Sequence, residues 1–137
     1  TANKADTKVV KTAINGGVKL TVQYYTDEMD VRKMRQGASP NFVHSMDATH
    51  MMMVLNAASG CGMTSFAMIH DDFGTHACDI EKFHTIIRDT FVELYSTDIL
   101  QDFADQLTKQ YSVKLPPRPA MGTLDLTKVK EAAFFFG

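Results

Sequence analysis

The apolar and polar positions of this chain change period several times, and each change marks an element. In VKLTVQYY, Val18, Leu20, Val22 and Tyr24 alternate with Lys19, Thr21, Gln23 and Tyr25. A period of two is that of a strand with one face on a core, so a half-buried strand is expected there, entered from a turn at Gly16-Gly17. The following DEMDVRKMRQ is a weaker candidate for its hairpin partner. At Ser39-Pro40 the period lengthens. Serine suits an N-cap and proline the first helical position, so a helix is expected from Asn41 to about Ser59. Phe42, Met46, Met53 and Ala57 lie on one side of it, with Val43 and Val54 nearby, and Gly60-Cys61-Gly62 ends it.

The next run, Ser65 to Ile69, is short, apolar and bounded by turn signals; Phe73 to Ala77 can pair with it across a tight Asp71-Asp72 turn. Asp79 is placed to cap a second helix, with Phe83, Ile86, Ile87, Thr90, Phe91 and Leu94 at helical spacing. A third helix is expected from about Asp98 to Tyr111, after which PPRP breaks the pattern and TLDLTKVKEAAFFFG closes the chain. The fold class is therefore α+β, with antiparallel strands and helices packed against them.

Composition narrows this picture. At 137 residues the chain suffices for one hydrophobic core. A net charge of −2 leaves no overall basic footprint, so any nucleic-acid contact must rest on local charge, densest at Arg32, Lys33 and Arg35. The apolar runs fall short of the ~20 residues of a membrane span, and no membrane role is expected. No secretory signal opens the chain, and two cysteines make no disulfide framework, which fits an intracellular setting. The opening TANKADTK lacks an initiator methionine, as a fragment of a longer protein would.

Chemistry concentrates in two places. SFAMIHDDFGTHA, residues 65 to 77, sets Asp71 and Asp72 beside His70 at the end of an apolar run. Strand alternation would send the two carboxylates to opposite faces, leaving one for any given site. A single carboxylate suits Mg²⁺, which keeps several waters and takes substrate phosphates; a two-metal site then needs a second carboxylate from elsewhere. Asp-Asp-Phe-Gly is equally the composition of a solvated hairpin turn. In SPNFVHSMDATH, residues 39 to 50, Asn41, His44 and Asp47 form a polar strip that could contact a substrate strand, or simply the solvated face of a capped amphipathic helix.

Taken together, RKMRQGASPNFVHSMDATH, SFAMIHDDFGTHA and PPRPAMGTLDLTKVKEAAFFFG closely resemble the C-terminal region of the single-subunit DNA-dependent RNA polymerases of bacteriophages and mitochondria. The likeness runs from about Val18 to the end. It implies that residues 1–137 are the C-terminal part of a polymerase palm, with an antiparallel hairpin bearing the His-Asp motif and residues 112–137 forming a foot-like tail. It further implies that Asp71 is a catalytic ligand of Mg²⁺ with His70 beside it, and that His44 lies near the primer terminus. Asn41, Arg32 and Lys33 are expected to make accompanying nucleic-acid contacts. Asp72 stands where many relatives carry serine. The implied partners are a DNA template, nascent RNA, NTPs and the remainder of the polymerase chain. A phage-infected host cytoplasm is the expected location, with the mitochondrion as alternative. The family's first palm aspartate and its nucleotide-handling fingers helix have no matching segment, so the chain alone is expected to be inactive.

Three rivals remain at this point. A His-Asp phosphohydrolase would carry its His-Asp pair on a helix and needs further ligands, for which His50, His76 and His84 lack convincing spacing. A non-catalytic interaction module is suggested by Met51 to Met53 and by Phe134 to Phe136. A DNA polymerase palm shares the His-Asp motif.

Overall fold

The computed structural model describes residues 3–13 and 17–135. The chain divides into two compact units, residues 1–45 and 46–137. The architecture is α+β, with two antiparallel two-stranded hairpins and three α-helices among the described residues.

The first unit is built on β1 (Asn3–Lys11) and β2 (Lys19–Met29), paired antiparallel from Asn3↔Met29 to Lys11↔Lys19 with an irregularity between Asn3 and Ala5. The partner of the VKLTVQYY strand is thus the polar N-terminal lead and not DEMDVRKMRQ. The expected burial is also absent. Val18, Leu20, Val22 and Tyr24 are each 46–50% exposed, because no described element covers the face they share. The hairpin is fastened at its surface, where Lys4 pairs with Glu28 at 2.8 Å and the Tyr24 hydroxyl donates to Asp6 at 3.1 Å. Of the Gly16-Gly17 turn, Gly16 lies outside the described residues and Gly17 has φ +95°.

Helix α1 (Val31–Gly60) begins eight residues before the expected Ser39-Pro40 start. The reason is Asp30, whose carboxylate accepts the Lys33 amide at 3.1 Å while its carbonyl accepts the Met34 amide at 3.0 Å. That satisfies the first-turn donors as an N-cap does. Pro40 then sits inside the helix, where it lacks an amide to give to Gln36 and costs stability without ending the element.

In the second unit, α1 contributes His50, Val54 and Ala58, one turn apart, as its buried stripe. The core face is therefore rotated from the expected Met53–Ala57 side, which is only half-buried. The remaining elements are β3 (Phe66–Ile69), β4 (Asp72–Thr75), α2 (Ile80–Tyr95) and α3 (Ile99–Tyr111). Val54, Ala58, Met63, Phe83 and Ile87 make the core, with Phe66, Met68, Phe73, Ile86 and Phe135 packed on it. Asp79 does precede α2, but it lies in a 3₁₀ turn (Ala77–Asp79) and its side chain caps nothing. Asp98 does cap α3, accepting the Gln101 amide at 3.2 Å. Among the described residues beyond α3 the tail is irregular except for a 3₁₀ turn at Leu126–Lys130, capped by Asp125 through the Thr127 amide at 3.0 Å. No described helix is long and apolar enough to cross a membrane.

Candidate active site

The β3–β4 hairpin pairs Phe66↔Thr75, Ala67↔Gly74, Met68↔Phe73 and Ile69↔Asp72. The two-residue turn is therefore His70-Asp71, one position earlier than the expected Asp71-Asp72. His70 takes φ +56° while Asp71 does not have positive φ, the pattern of a turn with one left-handed residue at its first central position. Histidine tolerates that region better than β-branched residues do, though not without strain. Asp71 is thereby held at an apex and Asp72 opens β4.

Pleating decides what faces inward. Phe66, Met68 and Phe73 turn toward the core, where Phe73 meets Phe83 at 6.4 Å and Phe66 meets it at 6.0 Å between ring centroids. On the other face, a Cβ on Gly74 would stand 3.2 Å from both the Cβ and the carbonyl oxygen of Ala67, so glycine permits the close strand approach. The hairpin is thus anchored by aromatic packing at its base, with the turn presented to solvent: His70, Asp71 and Asp72 are all exposed.

A cavity of about 460 Å³ opens beside the turn, lined by Asp71 and Asp72 together with Phe73, Phe83, His84 and Phe135. Asp71 and Asp72 both line this one cavity, although strand alternation would place neighbouring residues on opposite faces. Asp71 belongs to the turn, so the strand period does not apply to it. Among the described residues no hydrogen bond or ion pair engages either carboxylate, and no group of three or more metal-ligating side chains assembles. Unpaired, exposed carboxylate oxygens on a fixed turn are the hard ligands that Mg²⁺ takes in ones and twos, so the donor chemistry fits a shared site completed from outside these residues.

Behind the hairpin, His50 is 4% exposed. Its Nε2–H donates to the Ile87 carbonyl at 3.0 Å, and the Thr90 hydroxyl lies 3.2 Å from the same nitrogen. Its ring meets Phe73 edge-on at 5.7 Å and Phe91 at 5.5 Å. Burial pushes its pKa below the usual histidine value, against weaker upward pulls from the Ile87 carbonyl and the Asp47 charge.

The other expected site residues lie on the first unit's portion of α1. Arg32, Lys33, Asn41 and His44 are all exposed. Helical periodicity puts Lys33, Asn41 and His44 within one strip, with Arg32 about 100° round the axis from Lys33. Arg88 was not singled out in the sequence, and His50 was weighed there only as a metal ligand of the phosphohydrolase rival. Their partners lie about 40 residues away along the chain, so no local spacing announces them.

A carboxylate-bearing turn on an aromatic base, opening on a cavity, is an arrangement suited to metal-assisted phosphoryl chemistry. Comparison with known proteins supplies the family. Residues 2–115 match the model for DNA-dependent RNA polymerase, and the chain belongs to that family. It is 42% identical over 131 residues to DNA-directed RNA polymerase 2, chloroplastic/mitochondrial, of Arabidopsis thaliana, covering 95% of this chain and 13% of that one. It is 41% identical over 134 residues to DNA-directed RNA polymerase 3, chloroplastic, of Nicotiana sylvestris, covering 97% and 13%. To DNA-directed RNA polymerase 1, mitochondrial, of Arabidopsis thaliana it is 42% identical over 118 residues, covering 85% and 12%. The chain thus spans about an eighth of the length of these relatives. The relatives are plant organellar enzymes, so the expected phage-infected host cytoplasm gains no support. The strands at 66–69 and 72–75 also remove the structural basis of the phosphohydrolase rival, which needs a helix there.

Proposed function

We propose that this chain is the C-terminal part of the palm of a single-subunit RNA polymerase, which extends RNA from NTPs on a DNA template in a plant-type organelle. The carrying observation is the exposed Asp71 at a two-residue turn, free of partners among the described residues and set within a stretch that matches the polymerase family. Asp71 is the ligand offered to Mg²⁺, and Asp72 adds negative charge to the same cavity. Mg²⁺ bound there, with a second ion held elsewhere in the protein, would activate the RNA 3′ hydroxyl and neutralise charge on the leaving pyrophosphate. His70 holds the turn in its left-handed conformation and so fixes the direction of the Asp71 carboxylate. Lys33, Asn41 and His44 present one polar strip to nucleic acid, with Arg32 beside it as a phosphate contact. The remainder of the protein supplies the second carboxylate and the groups that select ribonucleotides. Residues 112–137 form the foot-like tail.

The test is primer extension by the full-length protein on a DNA template with Mg²⁺. RNA synthesis from NTPs is expected, with none from residues 1–137 alone. Incorporation restricted to deoxynucleotides would overturn the reading in favour of a DNA polymerase, and RNA synthesis by the isolated chain would overturn its dependence on missing parts.

A further inference from the structure

Arg88 lies in α2, 5% exposed, on a helix otherwise packed through Phe83, Ile87, Thr90 and Val92. Its Nη1 donates to three main-chain carbonyls of the tail: Val129 at 3.2 Å, Lys130 at 3.1 Å and Ala132 at 2.6 Å. Its guanidinium carbon stands 5.8 Å from the centroid of the Phe135 ring. Phe135 in turn meets Phe91 edge-on at 4.9 Å and forms a wall of the cavity that Asp71 and Asp72 share.

Stability alone does not account for this arginine. Among the described residues its Nε and Nη2 are buried with no hydrogen-bond partner, so within them part of its desolvation cost goes unrecovered. An apolar side chain of similar length would fill the site without that cost. What only the guanidinium does is gather three carbonyls to one point in a segment that has no strand ladder to hold it, while its charge lies over the Phe135 ring. The Lys130–Asp89 ion pair at 2.8 Å is a second tether, but both side chains are about half exposed and it contributes little.

We propose that Arg88 is a positioning residue that clamps the C-terminal tail, so that Phe135 walls the cavity beside the Asp71 turn in the geometry nucleotide addition requires. The catalytic half of this inference rests on the polymerase reading above; the clamp does not.

The test uses the full-length protein carrying Arg88→Met, Arg88→Lys or Phe135→Leu. Tail release is read by trypsin cleavage after Lys128 and Lys130, and catalysis by kcat and KM for the incoming nucleotide. For Arg88→Met the tail is expected to be cut about tenfold faster or more, with kcat reduced by roughly 10- to 100-fold and KM within about twofold, as for a displaced positioning group. Arg88→Lys keeps the charge as a single point and is expected to fall between. Phe135→Leu leaves the clamp in place, so kcat should fall with the tail still protected. A protected tail in Arg88→Met overturns the clamp, and a released tail with unchanged kcat overturns the positioning role. Should Arg88→Met fail to fold, Arg88→Lys decides: a tail cut faster together with a lower kcat supports the proposal, and a fully protected tail or an unchanged kcat overturns it. If the wild-type protein makes no RNA, the polymerase reading falls, and the clamp stands or falls on the trypsin arm.

Discussion

The two hairpins share one topology and differ in everything that surrounds it. β1–β2 has strands of 9 and 11 residues and keeps nearly every side chain in solvent. β3–β4 has strands of 4 residues each and sets Phe66, Met68 and Phe73 on the core. Strand length and clean alternation therefore do not measure burial. The first hairpin alternates over eight residues without a covering layer among the described residues of its own unit, whereas the second achieves a fixed turn because its aromatic face has α1 and α2 to pack on. A two-stranded hairpin without such a layer is marginal in water. The candidate chemistry sits on the anchored hairpin.

The sharpest way to break this comparison is a pair of truncations. Phe83 is 2% exposed beneath the β3–β4 aromatics, and Phe83→Ala should lose about 3–5 kcal/mol of unfolding free energy. Leu20→Ala on the open face of β2, where Leu20 is 50% exposed, should stay within about 0.5 kcal/mol. Urea denaturation of the full-length protein, followed by a probe in this region, checks both; equal losses would erase the distinction. A smaller effect is expected at Gly74→Ala, whose new methyl meets Ala67 at 3.2 Å and should cost about 1–3 kcal/mol by forcing the strands apart.

The smallest effect is a pH dependence carried by His50. Its pKa in the folded state lies below the ordinary histidine value, so the unfolded chain binds the proton more readily. The stability this contributes is complete above about pH 6.5, the unfolded value, and is lost as pH falls through the lower folded value. The groups around the ring are the Ile87 carbonyl, the Thr90 hydroxyl, Phe73, Phe91 and the more distant Asp47 charge. Thermal melts between pH 7.5 and 5.5 should therefore show an acid-side drop that shrinks in His50→Gln. An unchanged drop would assign the acid sensitivity elsewhere.

Much of the second unit was legible in the sequence. SFAMI and FGTHA read as strands because short segments bounded by turn residues are local signals, and Asp98 read as a helix start from the same kind of local cue. The turn itself was misplaced by one residue because either His70-Asp71 or Asp71-Asp72 could close it, and only the pairing Ile69↔Asp72 decides. The start of α1 was hidden because Ser39-Pro40 is a strong helix-initiation signal, while Asp30, which caps the helix, lies in a charged stretch with no apolar period. The openness of β2 and the role of Arg88 were invisible for a common reason: both depend on which distant segments arrive and which do not. For the candidate site, residue identities carried the resemblance, but the fact that Asp71 and Asp72 share a cavity required the fold.

The most direct test of the central claim is a change of metal preference in the full-length protein with Asp71→Cys. A thiolate is a poor ligand for Mg²⁺ and a better one for softer ions. If Asp71 holds the catalytic ion, Asp71→Cys should lose RNA synthesis with Mg²⁺ and recover part of it with Mn²⁺ or Cd²⁺, with no comparable recovery for Asp72→Cys. Full activity of Asp71→Cys with Mg²⁺ would contradict the assignment of Asp71 as the metal ligand.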